Sequence, residues 1–379
     1  MPLTINDEQQ MLRDSAQAFL GERAPVSHLR KLRDSADPIG FDRQLWRAFG
    51  EMGFAGVLIP EQHGGVGLGI VEAGIIAEQL GHTLTPSPFL SSAVLSASAL
   101  ARAGSTAQQA QWLPKIASGE AVLALALDET SNHRPRTLAT TATATRDGYR
   151  LDGEKCFVVD GHVADALLVC ASTQSSDGMR RGTSLFLIDA HAPGVTRERT
   201  TMLDAHNASR ITLRGVQVTG EALVGEPDTA DAVLSAVLDI GRMMLCMELI
   251  GIADEVFART LAYLKERKQF DRTIGEFQAL QHRMAALYCD IELARAITAR
   301  ALDAMGADPA AARATVSAAK VRCCASANLA VCEAVQMHGG MGMTDAFDIG
   351  LYMKRARVAQ HWLGDANFHA DRFAQLNAY

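Results

Sequence analysis

Residues 336–358 read QMHGGMGMTDAFDIGLYMKRARV, and the reading of this stretch governs the rest of the chain. Three glycines, Gly339, Gly340 and Gly342, let the backbone take positive φ or come close to a ligand. Asp345 and Asp348 follow, and then a basic cluster, Lys354, Arg355 and Arg357, which reads as a surface patch or an interface. The pattern is a ligand-contacting loop running into a helix. His338, beside the glycines, reads as a structural histidine.

Upstream of this loop the texture is helical for more than a hundred residues. Segments 229–270, 276–305 and 309–336 are rich in Ala, Leu, Met, Glu and Arg and predict three long helices. Their wide apolar faces suit a bundle that also packs against other subunits. Met243, Met244 and Met247 read as core filling. Between about 118 and 225 the chain changes character: β-branched and small residues alternate, and Asp147-Gly148, Asp152-Gly153 and Asp160-Gly161 mark turns. This predicts a β domain of sandwich or barrel type, without crossover helices to support a parallel sheet. Residues 1–117 are helical again. Thr4 and Asp7 suggest a capping box, and Gly81 a helix stop after VEAGIIAEQL. The glycine-rich PEQHGGVGLG (60–69) follows no strand, which argues against a dinucleotide fingerprint. The expected fold class is α+β multidomain: an N-terminal α-helical domain (1–117), a middle β-barrel or sandwich domain (118–228) and a C-terminal four-helix-bundle domain (229–379).

A chain of 379 residues with 48% hydrophobic content is long enough for two or three domains. Its formal net charge of -7 gives no general pull toward nucleic acid. MPLTINDEQQMLRDSAQAFL is polar and helix-like, unlike a leader peptide, and no apolar run approaches membrane-spanning length. The expectation is a soluble cytoplasmic protein with neither nucleic acid nor membrane as partner. Seven cysteines are scattered without CxxC or Cys/His spacing, which predicts no metal site and reads as small core residues in a reducing compartment.

The order helices, strands, helices and several motifs resemble the acyl-CoA dehydrogenase flavoproteins over essentially the whole chain. YLKERKQFDRTIGEFQALQHRMA (263–285) resembles that family's Arg-x-x-Phe-Gly…Gln…Gln-x-x-x-Ala segment, with Arg267, Phe270, Gln278 and Gln281 in register. QMHGGMG resembles its Gln-x-x-Gly-Gly-x-Gly loop; PEQHGGVGLG and LVGEP resemble its N-terminal loop and the end of its middle domain. Taken alone, KERK is an ordinary exposed charged run. Together with Phe270, Gln278 and the glycine pair it becomes part of a motif.

The resemblance implies FAD as cofactor, an acyl-CoA thioester as substrate and assembly as a tetramer. For an active member it implies an electron-transferring flavoprotein as acceptor. A carboxylate removes the α-proton while the β-hydride passes to flavin N5. It also implies a flavin lying across a subunit interface. The half lent to a partner, which holds pyrophosphate and adenine, corresponds to Arg267, Gln269, Phe270, Gln278, Gln336, Gly339 and Gly340. Arginine offers fixed donors to phosphate and glycines admit close backbone approach. Asp239 and Arg242 align with residues near the thioester and the CoA chain.

Several departures stand out. The family's base, a Glu seven residues beyond Gly339, is Ala346 here. A second branch places its Glu just before an Arg that corresponds to Arg242, and that position is Gly241. Neither side chain accepts a proton. The neighbouring Asp345 is a displaced candidate whose side chain projects in another direction, and Asp348 stands further off. In the half that receives the chain's own flavin, LALDETSNHRP (125–135) has Asp128 for the family's Thr and lacks its Pro and Gly. KCFVVDG (155–161) has Phe157 for Trp and Val159 for the Thr whose hydroxyl faces N5, and Asp271 stands where Gly is usual. Together these imply a partner subunit of a hetero-oligomeric dehydrogenase whose own site is vacant or inert. A homotetramer whose base is replaced or relocated, a flavoenzyme of this fold needing no carboxylate, and a non-enzymatic acyl-CoA or partner-binding scaffold remain open.

Overall fold

The computed structural model describes residues 5–174 and 179–379. Six helices come first: α1 (Asp7–Arg23), α2 (Val26–Asp34), α3 (Arg43–Glu51), α4 (Ile70–Thr83), α5 (Ala97–Ala103) and α6 (Thr106–Ala117). Seven strands follow: β1 (Leu123–Ala126), β2 (Thr141–Ala144), β3 (Gly148–Val159), β4 (Ala166–Gln174), β5 (Arg180–Asp189), β6 (Val195–Thr201) and β7 (Asn207–Thr219). Then come α7 (Ala230–Glu266), a short hairpin of β8 (Lys268–Gln269) and β9 (Arg272–Thr273), α8 (Gln278–Ala307), α9 (Arg313–His338), α10 (Ile349–His361) and α11 (Ala366–Leu376). The helix–sheet–helix order matches the expected fold class. The N-terminal capping box is made by Asn6 and Gln9, each side chain bonding the other's backbone N–H; Thr4 lies outside the described residues.

The chain packs as two units: Met1–Lys31 with Ile70–Thr85 and Arg242–Tyr379, and Leu32–Gly69 with Pro86–Gly241. In the first, α4 and α7 cross closely because glycines remove side chains at the contact. Gly81 does not stop α4 but lies buried within it, where a Cβ would collide with the backbone of Glu248. Gly251 plays the reciprocal part against the backbone of Glu78, and a Cβ on Gly74 would stand 3.1 Å from Met247 Cγ. Met243, Met244 and Met247 are core, as expected. Charged groups buried nearby are all paired. Arg13 and Arg295 donate to Glu78, and Arg355 makes a two-pronged bond to Glu248. The basic cluster therefore divides: Arg355 is a buried core partner, while Arg357 is exposed. Lys320, fully buried, donates to the carbonyls of Ala359, Gln360 and Gly364, so an ammonium satisfies the end of α10.

In the second unit the sheet runs β5–β4, then β1 and β2 on one shared edge of β4, then β3–β7–β6. β1 pairs with residues 166–169 and β2 with 172–174, both parallel to β4. Among the described residues no crossover helix supports these parallel pairs, as expected, though the pairs themselves were not anticipated. Intervening strands, rather than helices, supply the crossovers. Leu151, Leu167, Val169, Phe186, Ile211 and Val216 form its core. A π-helical segment, Phe89–Ser96, packs on β1, and its Ser91 hydroxyl donates to Asp160 at 2.5 Å. PEQHGGVGLG is a surface loop folded back on residues 56–59, with no strand before it.

The cysteines are all free. Cys170, Cys246, Cys323 and Cys324 are buried, and burial pushes the Cys170 thiol up to about 12. Cys289 and Cys332 are exposed on α8 and α9, so the core reading holds for only part of the set.

Candidate active site

The two sequence motifs at 263–285 and 336–340 converge in the first unit. Leu264, Met284 and Met337 share a small core with Ile274 and Leu280. Tyr263 stacks on His338 at 4.4 Å, and Phe347 meets that histidine edge-on. His338 is buried, its Nδ1 lies 2.7 Å from the Ala334 carbonyl, and burial holds its pKa below the usual value. The structural reading of His338 fits this environment.

Above that core lies an exposed polar surface. Phe270 and Asp271 have φ of 55° and 61°, the type I′ pair that closes a two-residue hairpin. Aspartate tolerates this left-handed region, so the backbone accepts Asp271 where the family has glycine. Phe270 is 84% exposed at the tip and touches Phe277 edge-on. Arg267, Gln269, Gln278 and Gln336 are exposed too. Gly339 has φ 60° after the last turn of α9, and a Cβ on Gly339 or Gly340 would meet open space. Gln281, also exposed, donates its side-chain amide to the Gly275 carbonyl at 2.9 Å.

Ala346 is exposed, in the turn between Met343 and α10. Its acidic neighbours are tied down. Asp345 accepts from Arg30 at 3.0 Å, and Asp348 accepts from both Arg30 and Arg259 at 2.9 Å. Arg242 is buried elsewhere in the unit: its Nε donates to the Leu363 carbonyl at 3.0 Å and its guanidinium lies over Phe368. Leu363 and Gly364 both have positive φ, 59° and 106°. A leucine in that region is strained, and such strain concentrates at functional sites. Sequence reading missed Leu363 because WLGD looks like an ordinary helix end. Only the backbone and the Arg242 bond single it out. Asp239, also buried, lies one turn before Arg242 on α7.

The receiving loop is in the second unit. Lys155, fully buried, donates to Glu129 at 2.6 Å and to the Leu127 carbonyl at 3.1 Å. Glu129 also accepts from the N–H groups of Ala139 and Thr140. Burial alone would raise its carboxyl, but the Lys155 charge and these hydrogen bonds outweigh that and hold it below the usual carboxylate range. Asp128 meets His133 Nδ1 at 2.9 and 3.0 Å, with the imidazole side chain only 3% exposed. Phe157 sits in a bulge of β3 with φ 52°. Val159, partly buried at the end of β3, offers no hydroxyl.

FAD, the cofactor that the resemblance implies, fits the first of these surfaces better than the second. The hairpin and the glycine loop offer open backbone and exposed donors to a pyrophosphate. The receiving loop has turned its polar groups on one another.

Comparison with known proteins gives one answer. Family profiles described as acyl-CoA dehydrogenase N-terminal, middle and C-terminal domains match residues 6–120, 127–216 and 231–376. Acyl-CoA dehydrogenase FadE27 of Mycobacterium tuberculosis is 33% identical over 334 residues, covering 86% of each chain. Acyl-CoA dehydrogenase IpdE2 of the same organism is 32% identical over 357 residues, covering 93% of this chain and 92% of that one. Among solved structures, a chain of the ChsE4-ChsE5 complex from Mycobacterium tuberculosis superimposes with a TM-score of 0.89 at 30% identity, covering 100% and 99%. A chain of a Tcur3481-Tcur3483 steroid ACAD variant gives 0.88 at 31%, covering 99% of both. Among the described residues, no helix is long and apolar enough to cross a membrane.

Proposed function

The chain belongs to the acyl-CoA dehydrogenase family of FAD-dependent oxidoreductases, and from that premise we propose that it serves as a partner subunit. It lends its hairpin and glycine loop to the flavin of a second, carboxylate-bearing chain of the family. Acyl-CoA is the substrate of the assembled enzyme, and Asp239 and Arg242 are the residues we assign to the thioester end. One observation carries the reading: the two positions where a base is called for hold Ala346 and Gly241. Neither accepts a proton, so α-proton removal falls to the other chain. Asp345 is held by Arg30, which argues against its acting as a relocated base. Two similar structures bear two-chain names, the ChsE4-ChsE5 complex and the Tcur3481-Tcur3483 steroid ACAD, which supports a hetero-oligomer built on this fold. The steroid label of the second favours a bulky acyl group.

The test is an anaerobic titration of the purified chain with octanoyl-CoA in the presence of FAD, following the flavin visible band. Ala346→Glu and Gly241→Glu are titrated beside it. The expected result is no stoichiometric flavin and no bleaching in any of the three. A parent chain that holds one FAD, with bleaching restored by one added carboxylate, would establish a homomeric enzyme lacking only its base and would end the partner-subunit reading.

A further inference from the structure

We infer that the Asp128–His133 pair closes this chain's own receiving loop against the flavin ring. This deepens the partner-subunit reading and rests on it. Several polar groups at the head of the loop are engaged within the chain. The Asp128 carbonyl takes the Cys156 N–H at 2.8 Å, the Thr130 carbonyl takes the Cys156 thiol at 3.1 Å, and the Thr130 hydroxyl donates to Asn132. Glu129 is occupied by Lys155 and two backbone N–H groups. The Asp128 side chain, at the head of the loop, faces His133.

Three consequences follow for a flavin. A ring edge rich in acceptors needs donors, and both Asp128 carboxyl oxygens face His133 instead of offering one. A carboxylate also disfavours the negative charge that the ring gains on reduction. The imidazole, 3% exposed, fills interior space that a glycine at that position would leave open. Shaping the loop does not by itself account for the pair. Glu129 already ties the loop to β3 through Lys155 and to residues 139 and 140, so a second side-chain contact between residues five apart is redundant as a brace. As a plug it is not redundant.

The experiment is a fluorescence titration of FAD into the full chain and into D128T/H133G, with D128N as a milder second variant that keeps the side-chain volume. Far-UV circular dichroism confirms that each variant is folded. The double variant is expected to bind FAD at least about tenfold more tightly than the parent, and D128N to shift in the same direction, since the carboxyl's contact with His133 is weakened. Folded variants with an unchanged, weak affinity would overturn the plug while leaving the partner-subunit reading in place. Tight, stoichiometric FAD binding by the parent would overturn both. If the double variant does not fold, D128N decides alone, and no shift in it counts against the inference.

Discussion

The two flavin-related surfaces of this chain differ in where their polar groups point. On the hairpin and glycine loop, Arg267, Gln269, Gln278 and Gln336 stay exposed, and Phe270 stands 84% exposed on a rigid type I′ tip. On the loop at 127–140, Glu129 is satisfied by Lys155 of β3, and Asp128 by His133. An outward surface with unused donors has binding capacity. An inward one contributes to stability instead, because a buried charge must be paired or it destabilises the fold. On the proposed reading, one surface is kept for another chain and the other is absorbed into the scaffold.

The sharpest way to break this contrast is Glu129→Gln. If the receiving loop is now scaffold, removing the charge leaves the buried Lys155 ammonium without its counter-ion, at a cost of about 3–5 kcal/mol in urea unfolding. The pH dependence has a defined sign. The folded-state pKa of Glu129 lies below its ordinary value, so its contribution is complete above the ordinary carboxylate range. It drains away as the pH falls through that range toward the depressed folded value. The variant should lose this part of the acid dependence. A loss under about 1 kcal/mol would mean that the loop is held by other contacts, and the division into scaffold and docking surface would fail.

The two surfaces were also unequally legible. Arg267, Phe270, Gln278 and the glycine pair lie in short contiguous motifs, and local spacing suffices to find them. The long helices α7, α8 and α9 follow from apolar periodicity and good helix formers, and their observed ends fall within a few residues of the expected ones. The receiving loop shows only its departures in sequence. That Asp128 turns to His133 and Glu129 to Lys155 depends on backbone curvature and on a partner 26 residues away. Gly81 was misread because a glycine near a helix end has two uses, as a left-handed cap or as a notch for a neighbouring helix. Choosing between them requires knowing that Glu248 lies opposite. Leu363 left no trace because strain at positive φ is a property of the backbone alone.

A smaller effect sharpens the outward side of the contrast. Phe270→Ala removes a ring with little to bury it in this chain, so melting of the chain alone should change by less than about 0.5 kcal/mol. If Phe270 anchors a partner, association of the hetero-oligomer should weaken by about 2 kcal/mol, roughly 30-fold in Kd by analytical ultracentrifugation. A variant equally stable alone and equally tight in the complex would strip the hairpin of its proposed role.

The smallest expected effect bears on the carboxylate nearest the vacant base position. Asp345 is largely exposed, with 62% of its side chain accessible, and its partner Arg30 is at 3.0 Å. An exposed pair of this kind contributes at most about 1 kcal/mol and is screened by salt. Asp345→Asn should therefore lower stability slightly at low ionic strength and not at all in high salt. Asp348→Asn should cost more, because Arg30 and Arg259 both converge on that carboxylate. Turnover of the assembled enzyme separates the two roles open to Asp345. As an ion-pair partner it can be replaced with no change in kcat. As a relocated base it cannot, since an amide takes up no proton and kcat would fall by about 100-fold or more. An unchanged kcat with a salt-sensitive Tm would leave the acid–base chemistry to the other chain, and a collapse of kcat would return it to this one.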